Sequence, residues 1–210
     1  IVAGPGSGKT RTIMARVKHL ASRGVPLRKI VALTFSRKVA LEMVKRDGTI
    51  GGERIVIKTF HSFGLSILRR FHKESNLMKD FMVVDQSKQL EIIRSILESG
   101  GQGRPPGPTS NSVVHGALSK QMTSQDAFKV LKWIMKKKGS GAEAKEFAHV
   151  EYGAIWERYE DVLHTQYNGV DFVDILSLVL KLLQTHPAIL QDLKQRYQYY
   201  VVDEFQDVNN

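Results

Sequence analysis

The first ten residues combine residue types and spacing that suit phosphate binding. They read Ile1-Val2-Ala3-Gly4-Pro5-Gly6-Ser7-Gly8-Lys9-Thr10, a glycine-rich turn that leads into a predicted helix. Glycine gives the backbone unusual dihedral angles and lets its N–H groups approach phosphate oxygens closely. Lys9 would then reach the β- and γ-phosphates, and the Thr10 hydroxyl would bind Mg²⁺. Because the strict pattern has glycine where this chain has Ala3, a turn that merely joins a strand to a helix stays an alternative.

Two adjacent carboxylates near the other end of the chain, Asp203 and Glu204, could bind the metal ion and the attacking water that phosphate transfer also requires. They follow a predicted strand at 199–202, and ligands bind at the carboxyl edge of open α/β sheets. Asp203 would hold Mg²⁺, directly or through water, and Glu204 would orient and deprotonate an attacking water. An acidic pair alone is typical of a solvated turn. Together with the glycine-rich loop, it predicts that the chain binds a nucleoside triphosphate.

The composition favours a polyanionic partner and excludes cysteine chemistry. The 31 Lys and Arg residues exceed the 21 Asp and Glu residues, and the formal net charge of +10 could serve nucleic-acid binding or only solubility. The absence of cysteine excludes disulfides, thiolate zinc sites and iron–sulfur clusters from this stretch. No apolar run approaches the roughly 18 residues of a membrane span, so we expect no membrane partner. The chain opens on Ile1 and stops at Asn210, and we expect both ends to be cuts through a larger protein.

Helices and strands are predicted to alternate at the two ends of the chain, with a helical stretch between them. The predicted strands are 30–35, 55–60 and 199–202, and the flanking helices are 9–22, a helix that Ser36 caps and that runs to residue 47, and 62–72. Further helices are predicted at 86–97, 112–121, 124–138, 152–166, 172–184 and 187–196, with a flexible loop at 99–108. This pattern predicts a parallel α/β sheet interrupted by a helical insertion.

Four segments resemble motifs of superfamily 1A helicases, the UvrD/Rep/PcrA group, and two more resemble the region that precedes one of these motifs. Asp203-Glu204-Phe205-Gln206-Asp207 is similar to motif II, and Ala3-Gly4-Pro5-Gly6-Ser7-Gly8-Lys9-Thr10-Arg11 is similar to motif I, which carries Ala at its first position. Residues 33–40 with Glu42-Met43 resemble motif Ia, although the family usually has Asn in place of Arg37. Residues 59–63 match motif Ib. Residues 156–160 and 171–176 resemble the segment that precedes motif II.

The resemblance implies a fold and a set of nucleotide contacts. It implies a RecA-like P-loop NTPase sheet, subdomain 1A, at residues 1–72 and 197–210, interrupted by a helical subdomain 1B at residues 73–196. It implies ATP and Mg²⁺ as cofactors, with the nucleotide held by Ala3, Gly4, Pro5, Gly6, Ser7, Gly8, Lys9, Thr10 and Arg11. Thr10 and Asp203 would bind the metal, and the catalytic residues would be Lys9, Asp203, Glu204 and Gln206. Gln206 would sense the γ-phosphate and couple hydrolysis to DNA movement.

Motifs Ia and Ib contact single-stranded nucleic acid in this family. The resemblance therefore assigns DNA binding to Phe35, Arg37, Lys38, Thr59, Phe60 and His61. Aromatic rings stack on bases without sequence preference, while hydroxyls and cations hold phosphates. The two phenylalanines are as easily core residues, since apolar residues at strand ends usually are. The basic runs at 69–70 and 136–138 could contact DNA backbone or be plain solvated helix faces.

The family resemblance implies an ATP-dependent DNA helicase that moves 3′→5′ along single-stranded DNA and unwinds duplexes in repair or recombination. A translocase that strips proteins from DNA and the helicase part of a RecB/AddA-like helicase–nuclease are alternatives, and a non-enzymatic binding module is a fourth. The expected partners are single-stranded DNA, single-strand/duplex junctions and the rest of the same chain. Since a second RecA-like domain supplies the arginine finger in this family, we expect the 210 residues alone to hydrolyse ATP hardly at all.

Overall fold

The computed structural model describes residues 8–99 and 124–204. These residues form two compact units: a first unit of residues 8–74 and 179–204, and a second unit of residues 75–99 and 124–178. The predicted helix 112–121, nearly all of the predicted loop 99–108, the residues of the phosphate loop before Gly8, and residues 205–207 lie outside the described residues.

The secondary structure alternates at both ends of the chain, as the sequence predicts. In chain order the elements are α1 (Lys9–Ser22), β1 (Ile30–Thr34), α2 (Arg37–Asp47), β2 (Thr49–Ile50), β3 (Glu53–Arg54), β4 (Val56–Thr59), α3 (Phe60–Arg70), β5 (Met82–Val83), α4 (Gln86–Glu98), α5 (Ser124–Gly139), α6 (Glu151–Thr165), β6 (Gly169–Val170), α7 (Phe172–Thr185), α8 (Pro187–Arg196) and β7 (Tyr199–Val202). Short 3₁₀ helices at Leu27–Lys29 and Ala144–Phe147 complete them.

The first unit is built on a three-stranded sheet with the order β4-β1-β7. Both pairings are parallel, with Leu33 of β1 opposite Lys58 on one side and Val202 on the other. The prediction of a mixed α/β fold with a parallel sheet is therefore confirmed. Because parallel strands end at the same edge, the residues that follow β1, β4 and β7 share the carboxyl edge of this sheet.

The central strand β1 is buried at all five positions. Strands that helices cover on both faces are apolar throughout, and alternate β1 residues here pack into two different clusters. The cluster around Ile30 contains Met14, Val17, Leu20, Leu27, Met43 and Ile55, and the cluster around Val31 and Leu33 contains Phe63, Ile67, Leu182, Ile189 and Leu193. The two clusters fix α1 and α2 on one face of the sheet and α3, α7 and α8 on the other.

Two predicted boundaries at the carboxyl edge were wrong. β1 ends at Thr34, and β4 ends at Thr59, so that Phe60 is the first residue of α3 and not the last residue of a strand. The reason is a capping box: the Thr59 hydroxyl accepts a hydrogen bond from the Ser62 N–H at 3.2 Å, and the Ser62 hydroxyl accepts one from the Thr59 N–H at 2.9 Å. This exchange starts the helix two residues earlier than the sequence predicts.

The second unit is mainly helical, as expected for this part of the chain. Its core joins α4, α5 and α6 and contains Ile92, Ile93, Leu131, Ile134, Trp156, Tyr159 and Leu163. The sequence did not predict the parallel pair β5 and β6, in which Met82 lies opposite Gly169. Of the helices within the described ranges, no single one is long and apolar enough to cross a membrane; α7 and α8 meet that test only as a pair, and the chain bends by 106° between them.

The two units divide the chain at residues that differ from the predicted subdomain limits. Residues 179–196, which the prediction places in the helical insertion, belong to the first unit because Leu182, Ile189 and Leu193 pack with Val31 and Leu33. The assignment of the units as subdomains 1A and 1B stays a prediction.

Candidate nucleotide-binding site

Lys9 and Glu204, from opposite ends of the sequence, meet beside the carboxyl edge of the sheet. Lys9 is the first residue of α1, which lies against β7, and Glu204 follows β7 by two residues. The Lys9 Nζ atom is 3.3 Å from Glu204 Oε1, and the two side chains are 22% and 35% exposed. The fold thus places the two predicted halves of a triphosphate site in direct contact.

The amino terminus of α1 suits an anion. Gly8 stands before the helix with φ +84°, a left-handed conformation that favours glycine, and its carbonyl accepts the Thr12 N–H at 3.0 Å. Within the described part of the chain, no side chain caps this terminus and no acidic residue lies in the first turn. Because the positive end of the helix dipole is left without a side-chain acceptor, a phosphate group would fit here.

Asp203 is a buried carboxylate at the end of β7, with only 3% of its surface exposed. Its N–H donates to the Leu33 carbonyl at 2.8 Å, and its Oδ1 accepts the Glu204 N–H at 3.1 Å. Burial raises the pKa of Asp203, the charge of Glu204 adds to this, and the Glu204 N–H and the Lys9 charge oppose it. A carboxylate in this environment would be stabilised by a divalent cation, so Asp203 fits the predicted Mg²⁺ ligand.

The other predicted nucleotide contacts are divided between described and undescribed residues. Thr10 is half-buried in the first turn of α1, beside Lys9, and Arg11 is exposed. The predicted contacts at Ala3, Gly4, Pro5, Gly6, Ser7 and Gln206 lie outside the described residues. Lys9, Thr10, Asp203 and Glu204 therefore carry the structural case for a nucleotide site.

An aromatic pair lies at the same edge of the sheet, next to the ends of two neighbouring strands. Phe35 follows β1 and Phe60 follows β4, and their ring centroids are 4.7 Å apart with a 35° angle between the planes. Phe35 is 38% exposed, whereas Phe60 is half-buried against the cluster around Val31 and Leu33. The two rings thus differ: Phe60 is partly a core residue, and Phe35 presents its ring to solvent.

The other predicted DNA contacts are polar or cationic residues that lie near Phe35 or Phe60 in the sequence. Arg37 and Lys38 are exposed in the first turn of α2. The Thr59 hydroxyl is engaged in the cap of α3, where it also lies 3.0 Å from the Ser62 hydroxyl. Burial lowers the pKa of His61, which is half-buried, so this imidazole is neutral near pH 7 and suits a hydrogen bond better than a phosphate charge.

The basic run 136–138 is not uniformly a solvated or DNA-facing surface. Lys138 is buried, and its Nζ lies 2.6 Å from both Asp171 Oδ2 and Asp174 Oδ1 and 2.7 Å from Glu160 Oε1. Burial alone would lower the pKa of Lys138, but the three carboxylates raise it. This ion cluster in the second unit was missed in the sequence, where only the spacing of Asp171 and Asp174 at a helix start could have indicated it.

Comparisons with known proteins find the same group of helicases that the sequence motifs resemble. The sequence model of the UvrD/REP helicase N-terminal domain family matches residues 1–210. ATP-dependent DNA helicase PcrA of Bacillus subtilis is 30% identical over 220 residues, and that of Leuconostoc citreum is 29% identical over 223 residues; each match covers 100% of this chain and 27% of the relative. DNA helicase II of Escherichia coli is 28% identical over 214 residues, 100% of this chain and 28% of that protein. The chain thus spans little more than a quarter of the length of these curated relatives.

Proposed function

The chain belongs to the UvrD/REP helicase N-terminal domain family, and from this premise we propose that it is the ATP-binding part of an ATP-dependent DNA helicase. The observation that supports the proposal most directly is the 3.3 Å contact between Lys9 and Glu204. It brings a cation that can bind phosphate oxygens next to a carboxylate that can accept a proton from water. Two relatives that match the whole chain are named as ATP-dependent DNA helicases, and they support the same activity.

In the proposed reaction, Lys9 exchanges Glu204 for the β- and γ-phosphate oxygens of ATP. Glu204 would accept a proton from a water that attacks the γ-phosphorus, while the bond between the γ-phosphorus and the β-phosphate oxygen breaks and ADP leaves. Thr10 and Asp203 would hold Mg²⁺, which when bound would neutralise charge on the phosphate oxygens. Arg11 and the residues of the loop before Gly8 would complete the nucleotide contacts, and Gln206 would report hydrolysis to the DNA site.

Single-stranded DNA is the proposed polymer substrate at the carboxyl edge. The exposed ring of Phe35, stacked near Phe60, offers a platform for a base, and Arg37 and Lys38 offer cations for the backbone. Thr59 and His61 would add hydrogen bonds to phosphate or sugar. Movement 3′→5′, action at single-strand/duplex junctions and a role in repair or recombination are parts of the proposal that rest on the family resemblance. The remainder of the full-length protein would supply the arginine finger.

The proposal is tested on the full-length protein by comparing Lys9→Ala with Arg16→Ala, which removes an exposed cation further along α1. We expect single-stranded DNA to stimulate ATP hydrolysis by the wild type and by Arg16→Ala. Lys9→Ala should lose most ATP affinity and turnover, because a bound phosphate would lose its charged partner. DNA-stimulated hydrolysis that survives in Lys9→Ala would contradict the assignment.

An unwinding experiment distinguishes a helicase from a translocase that only strips proteins from DNA. A duplex with a 3′ single-stranded tail and a duplex with a 5′ tail are offered with ATP, alongside a single strand that carries streptavidin on a terminal biotin. We expect strand separation of the 3′-tailed duplex alone. Streptavidin displacement without strand separation would favour the translocase, and unwinding from the 5′ tail would contradict the proposed direction.

A further inference from the structure

A basic pocket lies at the amino edge of the sheet in the first unit, away from the carboxyl edge that holds Lys9 and Glu204. It has a volume of about 350 Å³ and is lined by Arg28, Lys29, Val56, Arg196 and Tyr197. Its residues precede or begin the strands: Lys29 comes directly before β1, Val56 opens β4, and Tyr197 lies two residues before β7. The proposed nucleotide and DNA contacts use none of them.

The cations of this pocket have no carboxylate partner in the described ranges. Arg28, Lys29 and Arg196 form no ion pair there, although Lys29 Nζ donates to the Gln195 carbonyl at 2.5 Å. Asp192 is the carboxylate one helical turn before Arg196 on α8, but it pairs with Arg70 at 3.1 Å. Three positive side chains therefore line this pocket, and no carboxylate of the described residues pairs with them.

A fourth cation adds to the excess of positive charge. Lys58 lies two residues after Val56 on β4, and residues two apart on a strand point to the same face of the sheet. Burial lowers the pKa of Lys58, and the positive charge of Arg196 lowers it further. Glu53 lies in β3, which packs against the turn that contains Arg28, and it forms no ion pair with these cations in the described ranges. A bound anion would relieve the repulsion between Lys58 and Arg196.

We propose that this pocket binds a phosphate group of a nucleic-acid backbone, as a second contact separate from the carboxyl edge. Guanidinium groups match phosphate oxygens with paired N–H donors, and the pocket offers two of them, on Arg28 and Arg196. The Arg196 guanidinium lies 5.8 Å from the ring centroid of Tyr197, a contact that holds it beside the pocket. Nucleic acid as the source of the phosphate rests on the proposed function.

The test measures binding of a fluorescent oligo(dT) and of a duplex to the full-length protein over a range of salt concentrations. The double variant Arg28→Gln/Arg196→Gln is compared with Arg16→Gln/Arg23→Gln, which removes the same charge from exposed positions on and after α1. For a single strand, each lost phosphate contact should make the slope of log K against log[salt] less negative by about 0.7. The pocket variant should show this change, and the control variant should keep the wild-type slope. Arg28→Lys/Arg196→Lys, which keeps the charge, should restore most of the slope.

Each outcome has a separate meaning. Wild-type slopes in the pocket variant for both nucleic acids would overturn the inference while leaving the helicase proposal intact. Unchanged turnover at saturating DNA, with only weaker DNA binding, would support the pocket as a site apart from the ATPase machinery. A wild type that neither binds DNA nor hydrolyses ATP would overturn the proposed function, and the inference with it. Equal melting temperatures of the two double variants would exclude unfolding as the cause of a changed slope.

Discussion

Lys9 and Glu204 form an ion pair, with Nζ 3.3 Å from Oε1. Both side chains are partly exposed, so this ion pair adds little to the stability of the fold. Its importance is positional, because the two groups that phosphate transfer would need are already adjacent. ATP binding would exchange one partner of Lys9 for another, and the carboxylate that is released would face the region where the phosphate lies.

Glu204→Gln should separate nucleotide binding from hydrolysis in the full-length protein. We expect ATP affinity to be kept or slightly improved, because the amide no longer competes with phosphate for Lys9. Hydrolysis should fall by about 10²-fold or more, since the amide cannot accept the water proton. A fluorescent ATP analogue measures binding, and phosphate release measures turnover.

The matched control is Glu157→Gln, which changes an exposed carboxylate in α6. It should leave binding and turnover at wild-type values. If Glu204→Gln loses binding and turnover to the same extent, Glu204 is a binding residue and its role as general base is wrong.

The aromatic pair at the carboxyl edge should give different results for its two members. Phe35→Ala removes a ring that is 38% exposed and should weaken oligonucleotide binding by about 1–3 kcal/mol with little loss of stability. Phe60→Ala should weaken binding and also lower the free energy of unfolding, by less than the roughly 3–5 kcal/mol of a fully buried phenylalanine. Oligonucleotide affinity and melting temperature are measured on the same samples.

Phe71→Ala is the control, because it should lower stability at a residue that is not a proposed DNA contact. Phe71 follows α3 at its far end and packs against the same cluster as Phe60. It should lower the melting temperature and leave DNA affinity unchanged. If Phe60→Ala behaves like Phe71→Ala, stacking of Phe60 on a base is ruled out.

Local signals explain which elements could be predicted from the sequence. The bounds of α1, α8 and β7 were predicted correctly, since Gly8 stands directly before α1, Pro187 is the first residue of α8, and β7 is a short apolar run. The start of α3 was wrong because Thr59 and Ser62 cap each other, whereas the prediction extended the strand to Phe60 and began the helix at Ser62. The motifs at both chain ends indicated the two halves of the candidate site, and their contact then required the parallel pairing of β1 and β7.

Features that depend on distant contacts could not be predicted. β5 and β6 have two residues each, too few for a pattern, and they pair across a long stretch of sequence. The burial of Lys138 was missed for the same reason: a lysine next to two other lysines is typical of a solvated helix face, and its partners lie on α6 and at the start of α7. Such a cation is buried only where tertiary structure supplies carboxylates.

The Lys138 cluster should be essential for the stability of the second unit and not for DNA binding. Lys138→Met leaves Glu160, Asp171 and Asp174 close together without their common cation, and we expect a loss of about 3–5 kcal/mol at neutral pH. Lys136→Met, at an exposed position in the same helix, should be close to neutral. Denaturant unfolding of the 210-residue chain can be followed by the fluorescence of its two tryptophans, since Trp156 lies in the core of the second unit and Trp133 packs against it. Equal stability of the two variants would show that the cluster does not hold this unit together.

His164 sits at the rim of the same cluster and should make the stability of the second unit depend on pH. Its Nε2 lies 3.2 Å from Glu160 Oε2, and its Nδ1 lies 3.1 Å from the Gly169 carbonyl. The hydrogen bond to Glu160 raises the pKa of His164 above its usual 6.5, against the effect of burial. A raised pKa in the folded state contributes stability that is complete below about 6.5 and is lost as pH rises through the folded value.

The neighbouring carboxylates determine the rest of the pH profile. Burial raises the pKa of Asp174 to about 6, with the charge of Lys138 opposing and those of Asp171 and Glu160 adding. Its contribution is therefore complete below 3.8 and is lost as pH rises through about 6, in the same direction as that of His164. Burial also raises the pKa of Glu160, but the hydrogen bond to His164 and the charge of Lys138 lower it to about 2, so its contribution is complete above 4.5 and is lost as pH falls from there through about 2.

We therefore expect the melting temperature of the second unit, followed by tryptophan fluorescence of the 210-residue chain, to fall between pH 5 and pH 8. His164→Gln keeps a hydrogen-bonding group near Glu160 but cannot titrate, so its melting temperature should fall less than that of the wild type above pH 6. His149→Gln, which changes an exposed histidine of the same unit, should reproduce the wild-type profile. If all three proteins show the same fall above pH 6, the titration of His164 does not control this stability.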